Sequence, residues 1–369
     1  MNKSVYYYTS TDTATKILTG GEIWATNVRF MNDSEEFVNG LKEISSLVQE
    51  EYVSDCVEYL SKLDYVKIYT ISFCGREDAL SQWFMYAKEC GVSLEMDFTN
   101  YGQPSCYALA ENNSPKYSIN GQIELEKVIY CTTSSESMPA QEKQNAHDEI
   151  ESLFKVKCPN KEPLSAVRQG IVESALLIKR YEFFQENEYR AIINLDNLCD
   201  ENCNPIFYRT DNNVIKSYVK VKYKISDKIT GWPIVAIMIG PGFNQNVVFD
   251  SMKLFLDSAE LCVPKVTLDV YVERILKYLY NAANKITNMR DRKKFKKKID
   301  SRKNDFNSEF VGRIFLVQMR QQLLHFLESV KTNCKFRKQT IAELDEYIKC
   351  NYFSLCGIVL KKSSIPYIF

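Results

Sequence analysis

A chain of 369 residues with 45% hydrophobic and 25% charged residues has the composition of an ordinary globular protein, which excludes extensive disorder as its default state. Its 47 basic and 47 acidic residues cancel, so any nucleic-acid or acidic-membrane partner requires a local patch. Only two histidines occur, which excludes most catalytic schemes that need a histidine base or a histidine-bound metal.

The cysteines and the amino-terminal sequence predict the cellular compartment in which the protein resides. The twelve cysteines include no CxxC pair, so we expect no structural zinc. The opening sequence MNKSVYYYTS lacks the apolar core of a secretory signal, and the longest apolar stretch, residues 233–239, is too short to span a bilayer. We therefore expect a cytoplasmic protein with reduced thiols and no membrane partner.

The first half of the chain mixes helix and strand patterns. In chain order, we predict a strand at residues 5–9, a helix at 13–18, a strand at 23–26, helical sequence from about 34 to 63, a strand at 66–73, a helix at 78–88, strands at 92–98 and 127–131, and helices at 141–157 and 164–180. Such a mixture, with hydrophobic alternation in several strands, favours an α+β protein.

The second half returns to strands and then changes character. We predict strands at residues 188–195, 218–225 and 234–239, a helix at 247–256, helices only from 263 to about 347, and a strand at 357–360. The predicted fold is therefore α+β, with a mixed, largely antiparallel sheet core and an all-helical insertion near the carboxyl terminus. We assign residues 1–262 to the core domain, 263–347 to the insertion and 348–369 to a terminal strand that returns to the core.

A basic run lies within the predicted helical insertion. Nine basic residues occur between Arg290 and Lys303. The candidates for phosphate contacts are Arg292, Lys293, Lys294, Lys296, Lys297 and Lys298. We expect the run to face solvent, because burying that many cations without partners is prohibitively costly. Its function is then either binding of nucleic acid or simply that of a solvated helix.

Several short motifs occur in order along the rest of the chain. They are Tyr7-Tyr8-Thr9-Ser10, Gly21-Glu22-Ile23-Trp24, Asn32-Asp33-Ser34-Glu35-Glu36, Ile71-Ser72-Phe73-Cys74, Ser81-Gln82-Trp83-Phe84-Met85-Tyr86, Gly91-Val92-Ser93-Leu94, Lys127-Val128-Ile129-Tyr130, Glu186-Asn187-Glu188-Tyr189-Arg190, Ile239-Gly240-Pro241-Gly242 and Ser363-Ser364-Ile365-Pro366-Tyr367. In their order and spacing they resemble the bacterial domain of unknown function 2971 family, outside the helical insertion. The resemblance implies a role in antiviral defence but no settled reaction.

Three short segments carry a second resemblance, which concerns catalytic residues. Glu186-Asn187-Glu188 looks like the paired-glutamate strand motif of ADP-ribosyltransferases. The segments Tyr8-Thr9-Ser10 and Ile71-Ser72-Phe73 look like their other two NAD-contacting strands. Residues two apart on a strand share a face, so both glutamates are expected to project into one cleft. The resemblance implies that NAD is a substrate, that Glu188 stabilises an oxocarbenium ion and that Glu186 orients or deprotonates the acceptor.

The remaining members of the predicted NAD site are hydrogen-bonding and aromatic residues. They are Thr9, Ser10 and Ser72 as donors, Tyr8, Trp83 and Tyr86 as stacking rings, and Arg190 beside the glutamates. If Glu188 is catalytic, its replacement by glutamine is expected to abolish activity while leaving folding nearly unchanged.

Structural alternatives remain for several of the candidate residues. Glu186, Glu188 and Arg190 also fit the solvated face of an exposed strand. Trp83 and Tyr86 fit a helix that packs on the core, and the segment from Asn32 to Glu36 fits a turn and helix cap.

Three hypotheses on function follow. The first is an NAD-consuming defence effector or toxin, and the second is a non-catalytic sensor that engages nucleic acid or a partner protein. The third is a nuclease whose magnesium ligands are Asp33, Glu36, Glu186 and Glu188.

Overall fold

A computed structural model describes residues 4–31, 35–48, 51–61, 67–87, 90–98, 105–108, 117–118, 125–132, 138–159, 164–195, 206–211, 213–226, 229–263, 277, 280–281, 283–284, 289–302, 351–353 and 358–366. All structural statements below concern these residues.

The chain forms sixteen described strands. They are β1 (Ser4–Thr9), β2 (Glu22–Asn27), β3 (Ile68–Cys74), β4 (Val92–Asp97), β5 (Ser105–Ala108), β6 (Tyr117–Ser118), β7 (Leu125–Lys127), β8 (Ile129–Tyr130), β9 (Ile178–Lys179), β10 (Glu188–Asn194), β11 (Ile206–Asp211), β12 (Val214–Ser226), β13 (Ile229–Thr230), β14 (Ile234–Ile239), β15 (Asn351–Phe353) and β16 (Val359–Lys362).

Helices alternate with these strands. They are α1 (Thr11–Gly20), α2 (Glu36–Leu47), α3 (Glu51–Ser61), α4 (Leu80–Gln82), α5 (Ala140–Lys157), α6 (Leu164–Ala175), α7 (Gln245–Ser258) and α8 (Met289–Arg302). Short 3-10 helices cover Val28–Phe30 and Tyr181–Glu186, and a π-helix covers Trp83–Ala87.

The chain divides into two compact units that interleave in sequence. The first comprises Met1–Tyr7, Gly21–Gln82 and Asp97–Trp232, and the second comprises Tyr8–Gly20, Trp83–Met96 and Pro233–Phe369. The sequence-based division at residues 262 and 347 stays a prediction, since much of the intervening segment lies outside the described residues.

The first unit contains an antiparallel sheet. Strand β3 pairs with β1, β2 and β10, and β10 pairs with β7 on its other side. The long strand β12 pairs with β2, β5, β11 and β13. The prediction that residues 5–9, 66–73 and 188–193 lie in one sheet system of the same domain is confirmed for the sheet, over the described residues, by the pairing of β1 and β10 with β3. It is wrong for the domain at Tyr8 and Thr9, which belong to the second unit.

Helices α2, α3, α5 and α6 of the first unit form a separate apolar core. Its fully buried members include Leu41, Ile44, Ile150 and Ile171. Helix α2 packs tightly against α6 at Gly40, where a methyl group would overlap the backbone carbonyl of Ala175. This close approach brings the beginning of α2 near the end of α6, beside which the candidate site lies.

Four strands of the second unit pair in a mixed arrangement. Strand β14 pairs in parallel with β16 and antiparallel with β4, and β15 pairs with β16. All six residues of β14 are buried, as its continuous apolar run predicts. The strand pairing within the two units confirms the predicted α+β class with largely antiparallel pairing.

Several predicted boundaries are wrong. The helix predicted to reach residue 180 ends at Ala175, and Ile178–Lys179 is a strand that pairs in parallel with β8. The strand predicted at 127–131 is two short strands in different sheets. These two errors share a cause, because breaks between short elements depend on tertiary pairing rather than on local pattern. The helical sequence predicted from about 34 to 63 is confirmed over its described residues by α2 and α3.

Candidate functional site

The candidate site is built around Arg190, in the middle of β10. Arg190 pairs with Ser72 on β3 and with Glu126 on β7, so β10 is not an edge strand. The exposed fraction of Arg190 is 1%, and that of Glu188 is 5%. The alternative of a solvated strand face is therefore wrong for these two residues, because neighbouring strands and helices cover them.

Arg190 is held by groups from three elements. Its Nε donates to Glu188 Oε1 at 2.7 Å, and its Nη2 donates to Glu188 Oε2 at 2.9 Å. Its Nη2 also donates to Glu36 Oε1, and its Nη1 donates to the carbonyl oxygen of Leu176 at 2.5 Å. This bidentate arrangement is the strongest common geometry between an arginine and a carboxylate.

Lys179 forms the second cationic centre. Its Nζ lies 2.9 Å from Glu188 Oε2, 2.8 Å from Glu186 Oε2 and 3.5 Å from Glu36 Oε2. The parallel pairing of β8 with β9 places Tyr130 next to Lys179, and the hydroxyl of Tyr130 accepts a hydrogen bond from the Glu188 backbone N–H at 2.7 Å. We call Glu36, Lys179, Glu186, Glu188 and Arg190 the charged cluster.

Glu186 and Glu188 reach the cluster by different routes. Glu186 ends a 3-10 helix, and Asn187 then adopts a left-handed backbone with φ of 44° before β10 begins at Glu188. Asparagine tolerates this conformation better than most residues. The prediction that both glutamates project from one strand is therefore wrong, although both carboxylates do bind Lys179.

The conformation at Asn187 depends on a neighbouring loop. The backbone N–H of Gly75 donates to the carbonyl oxygen of Asn187 at 2.7 Å. A side chain on Gly75 would overlap Asn187 and the ring of Tyr189. The absence of a side chain at Gly75 thus permits the contact that supports the turn between the two glutamates.

The cluster contains three carboxylates and two cations, so it has one excess negative charge when all five groups are ionised. Burial acts to raise the pKa of Glu188, but Arg190 and Lys179 overcome this effect, with help from a hydrogen bond donated by Ser72, and lower the pKa to about 2. Burial also acts on Glu186, and Lys179 offsets it only partly, so the pKa of Glu186 is raised.

The carboxylates of the cluster raise the pKa values of its two cations. Burial would lower the pKa of Lys179 and of Arg190, but the adjacent carboxylates of Glu188 and Glu36 raise both. Both side chains therefore remain charged near neutral pH. The nearby Cys74 thiol has a pKa raised to about 11, mainly by burial, so it is protonated and unreactive there.

The cluster reaches solvent near two polar groups. Ser72 is exposed on β3 while its hydroxyl bonds to the buried Glu188. The Glu186 side chain is 15% exposed, about twice the value of 7% for Glu188. A ligand that approaches the cluster from solvent would therefore meet Ser72 and Glu186 before Glu188.

The predicted NAD site is divided between the two units. Ser72, Glu186, Glu188 and Arg190 belong to the first unit, where the structure brings them together. The other predicted members belong to the second unit: Tyr8, Thr9, Ser10, Trp83 and Tyr86.

Four of the residues in the second unit have identifiable structural positions. Trp83 is buried and contacts Tyr8 edge to face at 4.7 Å between ring centroids, as the core alternative predicts, whereas Tyr86 is exposed. The Ser10 hydroxyl accepts a hydrogen bond from the Thr13 backbone N–H at 3.1 Å, at the start of α1. Ser10 therefore acts as a helix cap.

Sequence analysis did not predict that Lys179 and Glu36 belong to the charged cluster. Lys179 falls at the end of the helix predicted at residues 164–180, and no local pattern distinguishes it from an ordinary surface lysine. Glu36 was interpreted as part of a cap or as a magnesium ligand, but it is buried at the start of α2 against Arg190 and Lys179. Sequence reasoning missed both contacts because their partners are more than 140 residues from Glu36.

The metal hypothesis finds no support among the described residues. Glu36, Glu186 and Glu188 converge, but the cations of Lys179 and Arg190 occupy the space between them. In this part of the chain, no group of three or more His, Cys, Asp or Glu side chains is arranged to hold a metal ion. Asp33, the fourth proposed ligand, lies outside the described residues.

The basic run forms helix α8 in the second unit. Lys293 and Lys297 are exposed, Arg292 and Lys296 are half-buried, and Ile299 is buried. The prediction that the run faces solvent is confirmed at the two exposed lysines. The side chains of Lys294 and Lys298 lie outside the described residues.

Over the described ranges, no helix combines the length and apolar character needed to cross a membrane. Comparison with known proteins found no matching family model, no matching curated protein and no matching solved structure.

Proposed function

We propose that the protein is an antiviral-defence effector that consumes NAD, either by transferring its ADP-ribose to an acceptor or by hydrolysing the bond between nicotinamide and ribose. One observation carries the proposal: a preorganised, negatively charged cluster lies behind the exposed Ser72 and the half-buried Glu186. The motif resemblance to ADP-ribosyltransferases points to the same residues.

The charge of the cluster suits this reaction. When the carbon–nitrogen bond breaks, nicotinamide leaves with the bonding electron pair, and positive charge develops on the ribose ring. A fixed excess of negative charge stabilises that transition state without reorganisation. A nucleophilic oxygen of the acceptor, or of water, then bonds to the ribose carbon and gives its proton to a base.

The two glutamates have different proposed roles. Glu186 is the catalytic residue, because it is the more exposed carboxylate and its raised pKa makes it a better base than an ordinary glutamate. Glu188 is a positioning residue, because Arg190 and Lys179 occupy both of its oxygens and keep it ionised. Ser72, whose hydroxyl proton is donated to Glu188, would accept a hydrogen bond from a ribose hydroxyl.

The proposal is tested by following bacterial growth and cellular NAD on expression of wild type, Glu186→Gln and Glu188→Gln. Glu126→Gln is the matched control, because Glu126 is a half-buried, ion-paired glutamate outside the cluster, 2.8 Å from Lys157 Nζ. We expect wild type and the control to deplete NAD, and both cluster variants to lose that activity. If wild type leaves NAD unchanged, or if Glu186→Gln remains fully active, the proposal is wrong.

A second candidate function is that of a non-catalytic sensor or binding module. The observation that favours it is the saturation of Glu188, since a carboxylate bonded to two buried cations also serves a purely structural role. Cellular NAD that stays intact on expression of folded wild type, together with a loss of stability in Glu188→Gln, would favour this candidate.

A further inference from the structure

An aromatic surface lies on three neighbouring strands of the first unit. Tyr218 on β12 is paired with Thr26 on β2 and with Phe207 on β11. Because paired residues and those two positions away share a face, Trp24, Tyr218 and Phe207 project from the same side of the sheet. The opposite side contains the buried residues Ile23, Val219 and Val221. The aromatic side is thus the outer one.

The three rings form a continuous stack across the strands. The centroids of Trp24 and Tyr218 are 4.4 Å apart with an interplanar angle of 24°. Those of Tyr218 and Phe207 are 5.7 Å apart at 28°. Trp24, at one end of the stack, is 38% exposed, whereas the other two tryptophans of the chain, Trp83 and Trp232, are each 2% exposed. The face therefore offers one accessible indole on a rigid support.

Cations flank the stack. The guanidinium carbon of Arg209 lies 5.8 Å from the ring centroids of both Trp24 and Tyr218. Lys220 Nζ lies 4.6 Å from the centroid of Phe207. Lys220 and Lys222 share one carboxylate, that of Glu22, at 3.9 and 3.8 Å. These three cations and one carboxylate leave an excess of positive charge on the surface.

We propose that this aromatic face, defined by Trp24, Phe207, Tyr218, Arg209, Lys220 and Lys222, binds single-stranded nucleic acid. An exposed ring on a rigid sheet offers a stacking surface for an unpaired base, and adjacent cations contact the phosphates. The excess positive charge favours an anionic partner. A duplex would use only the cations, because its bases are already stacked on one another. This site shares no residue with the charged cluster or with helix α8.

Binding is tested with the full-length protein and a fluorescein-labelled 12-nucleotide oligo(dT), measured by anisotropy at several salt concentrations. We expect Trp24→Leu to weaken binding about tenfold, since base–aromatic stacking is worth that much or more per base. The double variant Lys220→Gln with Lys222→Gln should weaken binding and reduce the salt slope by about 1.4, because it removes two phosphate contacts and each contact on a single strand contributes about 0.7. The lysine variant keeps the test decisive if the tryptophan variant folds poorly.

Tryptophan fluorescence gives an independent readout. Because Trp24 is the exposed indole, unlabelled oligonucleotide should quench part of the wild-type emission, and Trp24→Leu should abolish that quenching. Lys293→Gln with Lys297→Gln on α8 tests the competing basic helix, since it removes two exposed lysines from that helix. If the aromatic face is the binding site, this variant should bind as wild type does.

Three results would overturn the proposal. They are absence of binding at low salt, equal affinity for a 12-base-pair duplex and the single strand, and binding that is lost in the α8 variant but unchanged by both variants of the aromatic face. The third result would assign nucleic-acid binding to the basic helix.

Discussion

Replacing Glu188 by glutamine should lower the free energy of unfolding by about 3 kcal/mol at pH 7. The magnitude follows from the pKa of this carboxyl, which folding lowers from 4.5 to about 2. A carboxyl with that change is stabilised in the folded state by about 1.4 kcal/mol for each pKa unit. The result is similar to the lower end of the about 3–5 kcal/mol measured when one partner of a buried ion pair is removed. This predicted loss of stability replaces the sequence-based expectation that Glu188→Gln leaves folding nearly unchanged.

The pH dependence of this effect has a definite sign. Because the folded-state pKa lies below the unfolded value, the contribution of Glu188 is fully present above about pH 4.5 and is lost as the pH falls towards 2. The stability difference between wild type and Glu188→Gln should therefore be largest near neutral pH and shrink through that acidic range.

Urea unfolding followed by circular dichroism at pH 7, 5, 4 and 3 measures this difference. Glu126→Gln is the control, since its salt bridge with Lys157 lies at the half-buried edge of the sheet and its loss should cost about 1 kcal/mol or less. A difference below about 1 kcal/mol for Glu188→Gln at pH 7, or one that grows on acidification, would refute the description of Glu188 as a buried, ionised partner of Arg190.

Three other substitutions follow from the same geometry and are checked by the same unfolding measurement. Glu186→Gln should stabilise the fold at pH 7, because the raised pKa of this carboxyl favours the folded state at low pH and opposes it as the pH rises; destabilisation would contradict that sign. Arg190→Met should cost about 3–5 kcal/mol, because it leaves Glu36 and Glu188 buried without their guanidinium partner, and addition of Glu36→Gln to it should recover part of the loss. Gly40→Ala should cost about 1–3 kcal/mol through overlap with the backbone at Ala175, and a neutral result would show that α2 and α6 separate at little cost.

The stability and the NAD consumption of Glu186→Gln, measured together, show whether Glu186 has a catalytic role. If Glu186→Gln is more stable than wild type and also fails to consume NAD, the glutamate is retained at a cost to folding, as expected of a functional group. If the variant is more stable and the cell loses NAD as before, Glu186 has no catalytic role.

The sequence alone determined the fold class and much of the strand framework. The run of six apolar residues at Ile234–Ile239 predicts a strand buried on both faces, and the short aromatic or β-branched segments predict β1, β3 and β10. The motif around Glu186 and Glu188 also drew attention to the right part of the chain. These predictions succeed because hydrophobic period and β-propensity are properties of neighbouring residues.

Only the tertiary structure decided whether the charged side chains of Glu188 and Arg190 are exposed to solvent or buried. Alternation of Glu188, Tyr189 and Arg190 is the same in sequence whether the charged side chains face water or a covered interior. Strand β7 and the ends of α2 and α6 decide the matter here, because they exclude solvent and supply Glu36 and the Leu176 carbonyl to Arg190. A buried cation requires partners, and those partners come from positions that no local pattern connects.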